Sequence, residues 1–81
     1  MKGQFLKNTQ TLRGYLRRGD EARIAKESGI CLRTLYGAFK RESLADMSRS
    51  ELMGYTAFVN VAESRKAEAA QLVNRIEMIA Q

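Results

Sequence analysis

The sequence predicts an all-α protein of four or five helices. The 81-residue chain contains no proline, and no stretch shows the alternating, β-branched pattern of a strand. Its apolar residues instead recur at intervals of three and four, as on one face of a helix. A chain of this length is too short for two separate cores. We therefore expect one domain over residues 1–81, with an N-terminal half of residues 1–42 and a C-terminal half of residues 43–81.

The charge of the chain is concentrated in its N-terminal half. Residues 1–41 contain ten basic and three acidic residues, whereas residues 42–81 contain four basic and six acidic residues. The net charge is therefore +7 in the first segment and −2 in the second. A strongly basic segment is typical of a domain that binds a polyanion.

Two short helices are predicted at the start of the chain. The first runs from about Asn8 or Thr9 to Arg18 and stops at Gly19. Its apolar stripe consists of Leu12, Tyr15 and Leu16. The second helix runs from Glu21 to about Ser28, and we expect the Asp20 side chain to cap its free N–H groups. Its buried positions are Ile24 and Ala25, and Gly29 ends it.

A third helix is predicted from Leu32 to Arg41, with Cys31 at the position where a small polar residue usually caps a helix. Its core side consists of Leu35, Ala38 and Phe39. The other side forms a basic strip of Arg33, Thr34, Gly37, Lys40 and Arg41. This helix would therefore present its polar side to a partner.

The clearest helix start lies in the C-terminal half. Ser48 and Glu51 have the spacing of a capping box, and Met47 and Leu52 can form a hydrophobic staple around it. Apolar residues then recur at heptad spacing. This heptad row consists of Tyr55, Phe58, Ala62, Ala69, Leu72, Ile76 and Ile79. Because Arg65 and Lys66 interrupt the row, we expect a break or bend near Ser64. The row can pack on its own domain or form a dimer seam.

The spacing of Ala25, Gly29 and Leu35 is the most informative pattern in the sequence. A small residue lets two helices approach, a glycine four residues later allows a sharp turn, and an aliphatic residue fills the wedge between the helices. Residues 20–41 resemble the helix-turn-helix of bacterial and phage transcription regulators, such as the lambda-type and LacI-like repressors. The resemblance implies a helix-turn-helix without a wing.

The resemblance also implies a function for the third helix. Residues 32–41 would lie in the major groove of double-stranded DNA as a recognition helix. Arg33 can donate two parallel hydrogen bonds to a guanine. The candidate base-reading residues are Leu32, Arg33, Tyr36 and Gly37. The candidate phosphate-binding residues are Arg13, Arg17, Arg18, Arg23, Lys26, Thr34, Lys40 and Arg41.

Regulators of this kind bind DNA as two-fold pairs. We therefore expect a homodimer through residues 48–80, with paired recognition helices about 34 Å apart on a pseudo-palindromic site. The sequence leaves two other functions open. One is a helical protein-interaction module that does not bind DNA, and the other is an RNA-binding helical domain.

Several function classes are disfavoured by composition. The chain has no histidine, no glycine-rich phosphate loop and no nucleophile motif, so we do not expect an enzyme. Cys31 is the single cysteine, which excludes an internal disulfide and a zinc set. We expect no cofactor, no metal and no small-molecule site. Because no segment has the apolar length of a membrane span or a secretory signal, we expect a cytoplasmic protein without membrane contact.

Overall fold

The computed structural model describes residues 2–81, with the side chain of Lys2 excepted, and no strand occurs among them. Four α-helices and one short 3₁₀ helix make up the fold. They are α1 (Lys2–Arg13), α2 (Asp20–Ser28), α3 (Leu32–Phe39), the 3₁₀ helix (Leu44–Asp46) and α4 (Arg49–Ala80). The expected all-α class with four or five helices is therefore confirmed.

Helix α1 differs from the expected first helix at both ends. It begins at Lys2 and ends at Arg13, five residues before the predicted end at Arg18. Gly14 follows directly, and glycine disfavours helix by about 1 kcal/mol relative to alanine. The N–H groups of Tyr15 and Leu16 then bond to carbonyls three residues back, at 3.1 Å each, which tightens the chain into a turn. As a result, residues 17 and 18 lie in the loop between α1 and α2 and not on a helix.

Helix α2 ends as the sequence predicts but begins differently. Gly29 has φ 70°, and its left-handed conformation lets the Ile30 N–H bond to the Ala25 carbonyl at 3.0 Å. The N-cap position is occupied by Gly19, which has φ 90°. The expected capping role of Asp20 is wrong, because this residue lies in the first turn of α2 and its carboxylate accepts the backbone N–H of Arg17 instead.

Helix α3 ends at Phe39, two residues before the predicted end at Arg41. The Lys40 N–H closes the helix by bonding to the Gly37 carbonyl at 3.1 Å. Cys31 occupies the N-cap position, but its side chain makes no bond to a backbone N–H of α3. Its sulfur lies 3.1 Å from the hydroxyl of Thr34 instead.

Helix α4 begins at the predicted capping box. The Glu51 N–H donates to Ser48 Oγ at 3.2 Å, and the Ser48 N–H donates to Glu51 Oε1 at 2.8 Å. The predicted break near Ser64 is wrong, because α4 continues without interruption to Ala80. Arg65, one of the two residues that suggested the break, forms an ion pair with Asp20.

The core lies between α4 and the other three helices. Phe58 is at its centre, with ring centroids 4.7 Å from Phe39 and 5.2 Å from Tyr55. The buried apolar residues are Ile24, Ala25, Leu35, Ala38, Phe39, Met47, Tyr55, Phe58 and Ala62. The first part of the heptad row is thus used inside the chain. Its second part, from Ala69 onward, is exposed.

Gly54 allows α4 to approach the turn between α2 and α3. A Cβ atom at this position would collide with Ile30 Cδ1 and would lie 3.2 Å from Leu35 Cδ1. Only glycine therefore fits this contact without a shift of the neighbouring side chains. No helix within residues 2–81 is both long enough and apolar enough to cross a membrane.

Candidate nucleic-acid interface

The candidate interface is built on α2, the turn and α3. Ile24, Ala25 and Leu35 are 1%, 3% and 0% exposed, so the two helices are fixed to each other and to α4 by buried apolar contacts. The turn residue Gly29 adopts the left-handed conformation that the sequence predicted. The buried side of α3 is therefore held by α2 and α4, and the opposite side of the helix faces solvent.

The free side of α3 carries Arg33, Tyr36 and Lys40. These residues are spaced by three and four positions, which places them on one side of the helix. All three are exposed. Neither Arg33 nor Lys40 forms an ion pair with another residue in the part of the chain that the structure describes. This side thus offers two available cations and a phenol.

The margins of α3 are occupied by other contacts. Leu32 is half-buried and packs against the core cluster. Thr34 is also half-buried, and its hydroxyl pairs with the Cys31 sulfur. At Gly37 a Cβ atom would lie 3.2 Å from Glu51 Oε2. The absence of a side chain at Gly37 therefore lets the α4 carboxylate lie beside α3, an arrangement that the sequence did not reveal.

The carboxylate of Glu51 holds Arg41 at the junction of α3 and α4. Arg41 Nε donates to Glu51 Oε2 at 3.1 Å. The Ser48 N–H and, after it, the Arg41 guanidinium hold the pKa of Glu51 below its ordinary value. The Glu51 side chain is only 7% exposed, whereas that of Arg41 is 48% exposed. Arg41 can thus still meet a partner, but its charge is largely balanced.

Three further arginines of the candidate set are paired with acidic residues. The partners and distances are Arg13–Glu21 at 2.9 Å, Arg17–Glu68 at 2.7 Å and Arg23–Glu27 at 3.1 Å. All of these pairs are at least partly exposed to water, where an ion pair is weak. A phosphate can therefore compete with each carboxylate. In the free protein, however, these arginines are not available cations.

The remaining basic candidates can bind a phosphate without displacing a carboxylate. Arg18, Lys26, Arg33 and Lys40 have no acidic partner among residues 2–81. Arg18 lies in the loop before α2, and Lys26 lies in the last turn of α2. Together with the free side of α3, these residues are the strongest candidates for contact with an anion.

Two grooves bring several predicted residues together. One lies between α1 and α3 and is lined by Leu6, Gln10, Arg13, Tyr36, Phe39 and Lys40. The Arg13 guanidinium lies over the Phe39 ring there, 4.4 Å from its centroid. The other groove follows the loop before α2 and contains Gln10, Arg13, Arg17 and Arg18.

Gln10 lines both grooves, and sequence reasoning did not identify it. Its amide can donate and accept hydrogen bonds, as a contact to a phosphate or a base edge requires. A single glutamine within a helix gives no signal in the sequence. It becomes a candidate because it lines one groove with Tyr36 and Lys40 and the other with Arg17 and Arg18.

Comparison with known proteins adds no assignment to this geometry. No protein family, no curated protein and no solved structure gives a match to the chain. Among residues 2–81, no group of three or more potential metal ligands comes together. We therefore infer the function from the helix arrangement and its exposed charges.

Proposed function

We propose that this protein is a sequence-specific, double-stranded DNA-binding regulator of transcription. In this proposal α3 lies in the major groove, which is wide enough for one α-helix. The observation that supports it best is the free side of α3, with Arg33, Tyr36 and Lys40 exposed while the opposite side is locked into the core. A surface of this kind can place side chains against base edges without disturbing the fold.

Sequence reading is assigned to the first turns of α3. Arg33 is the principal reader, because its guanidinium can donate to guanine O6 and N7. Leu32 can contact a thymine methyl group, and Tyr36 can reach a base edge or the adjacent sugar. Gly37 adds no side chain, and its small size permits the approach of Glu51 that holds Arg41 beside the groove.

Phosphate contacts are assigned to residues around α3. Arg18, Lys26 and Lys40 bind phosphates directly, because no ion pair with an acidic residue has to be broken first. A second group contacts phosphate through exchange of its present partner, a carboxylate for the arginines and the Cys31 sulfur for Thr34. This group consists of Arg13, Arg17, Arg23, Thr34 and Arg41. The salt dependence of binding would then report both groups.

Two further points belong to this proposal. The chain acts in the cytoplasm as a homodimer, so that two copies of α3 contact one pseudo-palindromic site. The seam lies within the predicted range of residues 48–80 but outside the part that the core uses, since Tyr55, Phe58 and Ala62 are buried. No catalytic role is assigned to any residue.

The test is duplex binding by fluorescence anisotropy over a salt series. A preferred duplex is first selected from a randomised pool. Arg33→Ala should then reduce discrimination against a duplex with one changed base pair by about tenfold or more, as expected for about 1–3 kcal/mol per base contact. Lys26→Ala should weaken all duplexes equally and reduce the salt slope. Arg75→Ala removes the same charge from the far part of α4 and is the control.

Two results would overturn the proposal. Failure of the wild-type chain to bind any duplex at low salt would favour the protein-interaction module. Stronger binding to an RNA hairpin than to any duplex would favour the RNA-binding domain.

A further inference from the structure

The second part of the heptad row is an apolar surface that the rest of the chain does not cover. Leu72, Ile76 and Ile79 are 54%, 55% and 82% exposed, and Ala69 precedes them in the same row. Their spacing continues the three-and-four pattern of Phe58 and Ala62, which are buried in the core. An apolar row at heptad spacing is the pattern through which α-helices pair.

We propose that a second copy of this chain docks on the exposed row with its own exposed row, so that the two α4 helices lie antiparallel. The pairing depends on α4 alone. Only its use in placing two copies on one DNA site rests on the proposed function.

The charge of the segment favours a second copy over a membrane surface. Residues 67–81 contain Glu68, Arg75 and Glu77 and have a net charge of −1, whereas residues 1–66 have a net charge of +6. An amphipathic helix that binds a membrane surface usually carries several lysines or arginines beside its apolar face. This segment has only Arg75, and its near neutrality lets two copies approach without repulsion.

The antiparallel direction follows from the position of the bundle formed by α1, α2, α3 and the first half of α4. A groove runs between the loop residues Gly14 and Tyr15 and the α4 residues Ala69 and Leu72. The bundle and the exposed row therefore lie on the same side of α4. Two parallel, aligned α4 helices would place both bundles in the same space between them.

An antiparallel pair avoids this collision and matches the residues of the row. Each bundle then lies at the Ala69 end of its own helix, beside the C-terminal end of the other copy, and the two +6 regions are kept apart. In the register that uses the whole exposed row, Ala69 lies opposite Ile79 of the second copy, and Leu72 lies opposite Ile76 of the second copy. The small Ala69 thus faces the large Ile79, and the side-chain layers between the two helices have similar widths.

The paired segment is short, so we expect the dimer to be weak. From Ala69 to Ile79 it is about 15 Å long, at about 1.5 Å per residue. A contact of this size is smaller than the interfaces of permanent dimers. We therefore expect a dimer that dissociates on dilution.

The assembly is tested by sedimentation velocity over a concentration series without DNA. The wild-type chain should shift from monomer to dimer as concentration rises, and Ile76→Glu should remain monomeric. Met78→Glu is the matched control, because Met78 is 74% exposed on the same helix but lies outside the row. It should dimerise like the wild type. Circular dichroism of both variants checks that they remain folded.

The direction is tested with cysteines in a Cys31→Ser background. Leu72→Cys and Ile76→Cys chains should form a disulfide with each other when mixed, identified by mass spectrometry, because these positions are opposite only in the antiparallel register. Disulfides within each separate variant, with none between the two in the mixture, would overturn that direction.

Two outcomes of the sedimentation series would overturn the pairing itself. One is a wild-type chain that stays monomeric at all concentrations, and the other is an Ile76→Glu chain that dimerises as strongly as the wild type. Because DNA is absent, failure of the proposed function is distinguishable. A dimer that binds no duplex refutes DNA binding but not the pairing. A monomer that binds duplexes refutes the pairing, and with it the homodimer of the proposed function, but not DNA binding.

Discussion

Arg65 of α4 donates two hydrogen bonds to the carboxylate of Asp20, one from Nε to Oδ2 and one from Nη2 to Oδ1, each 3.0 Å long. The same carboxylate accepts the backbone N–H of Arg17 at 2.8 Å. The side chains of Arg65 and Asp20 are 19% and 8% exposed. One acidic group therefore joins the loop before α2, the first turn of α2 and the middle of α4.

Removal of this carboxylate should destabilise the fold. We expect Asp20→Ala to lower the free energy of unfolding by about 1–3 kcal/mol, because the Arg17 N–H and the Arg65 guanidinium lose their acceptor. Urea denaturation measures the change. Glu27→Ala is the control on the same helix: it breaks the exposed Arg23–Glu27 pair and should cost less than about 0.5 kcal/mol. Equal losses in the two variants would contradict this role of Asp20.

Stability should fall in acid because of Asp20 and Glu51. The Arg65 guanidinium and, after it, the Arg17 N–H hold the pKa of Asp20 below its ordinary value, and the pKa of Glu51 is also lowered. A carboxylate whose pKa is lower in the folded state stabilises the protein above its unfolded pKa, and this stability is lost as the pH falls through the folded pKa.

The loss should therefore begin near pH 4, where these side chains titrate in the unfolded chain, and should continue below it. Urea midpoints measured between neutral pH and pH 3 test this. Asp20→Asn should make the acid-dependent decrease smaller than in the wild type. An identical pH profile in the variant would show that Asp20 does not contribute.

An added methyl group at Gly54 should destabilise the fold. Gly54→Ala places a Cβ against Ile30 and the fully buried Leu35. Overpacking of this kind costs about 1–3 kcal/mol, which the better helix propensity of alanine offsets by no more than about 1 kcal/mol. Thermal unfolding should show a lower Tm. Gly3→Ala, where no atom lies within 4 Å of the added Cβ, should leave the Tm unchanged or slightly raised.

Release of Arg17 from its carboxylate should strengthen DNA binding if the proposed function is correct. Glu68→Gln removes the partner that lies 2.7 Å from Arg17, so the guanidinium becomes available to phosphate. The gain should be about two- to fivefold, the range of a weak exposed ion pair. Glu77→Gln changes the net charge equally at a distant part of α4. Equal gains in both variants would mean that net charge alone is responsible.

Local signals in the sequence predicted most of the helix boundaries correctly. The capping box of Ser48 and Glu51 and the left-handed turn at Gly29 involve contacts within a few residues. Such contacts are present in any chain with the same local sequence. The predictions were wrong at both ends of α1, at the end of α3 and at the expected break in α4. At the end of α1 we expected Gly19 to stop the helix, but the helix stops at Arg13, directly before Gly14.

Contacts between distant residues were beyond sequence reasoning. Asp20 was expected to cap α2 because it directly precedes the predicted start at Glu21, yet its partner Arg65 lies 45 residues away. The same pair explains why Arg65 does not break α4. The effect of Gly37 likewise depends on Glu51 of another helix. The candidate site was therefore predictable as a set of residues, whereas the division into paired and available cations required the structure.

Helix α4 is continuous, but its two halves should differ in their resistance to local unfolding. Its first half is held by the core around Phe58, but beyond Glu68 its side chains form no hydrogen bond or ion pair with the rest of residues 2–81, and an isolated helical segment of that length is marginal in water. Backbone amide hydrogens should thus exchange with deuterium slowly up to about Arg65 and progressively faster toward Ala80. In a single copy, α4 would melt from its far end while the bundle stays intact.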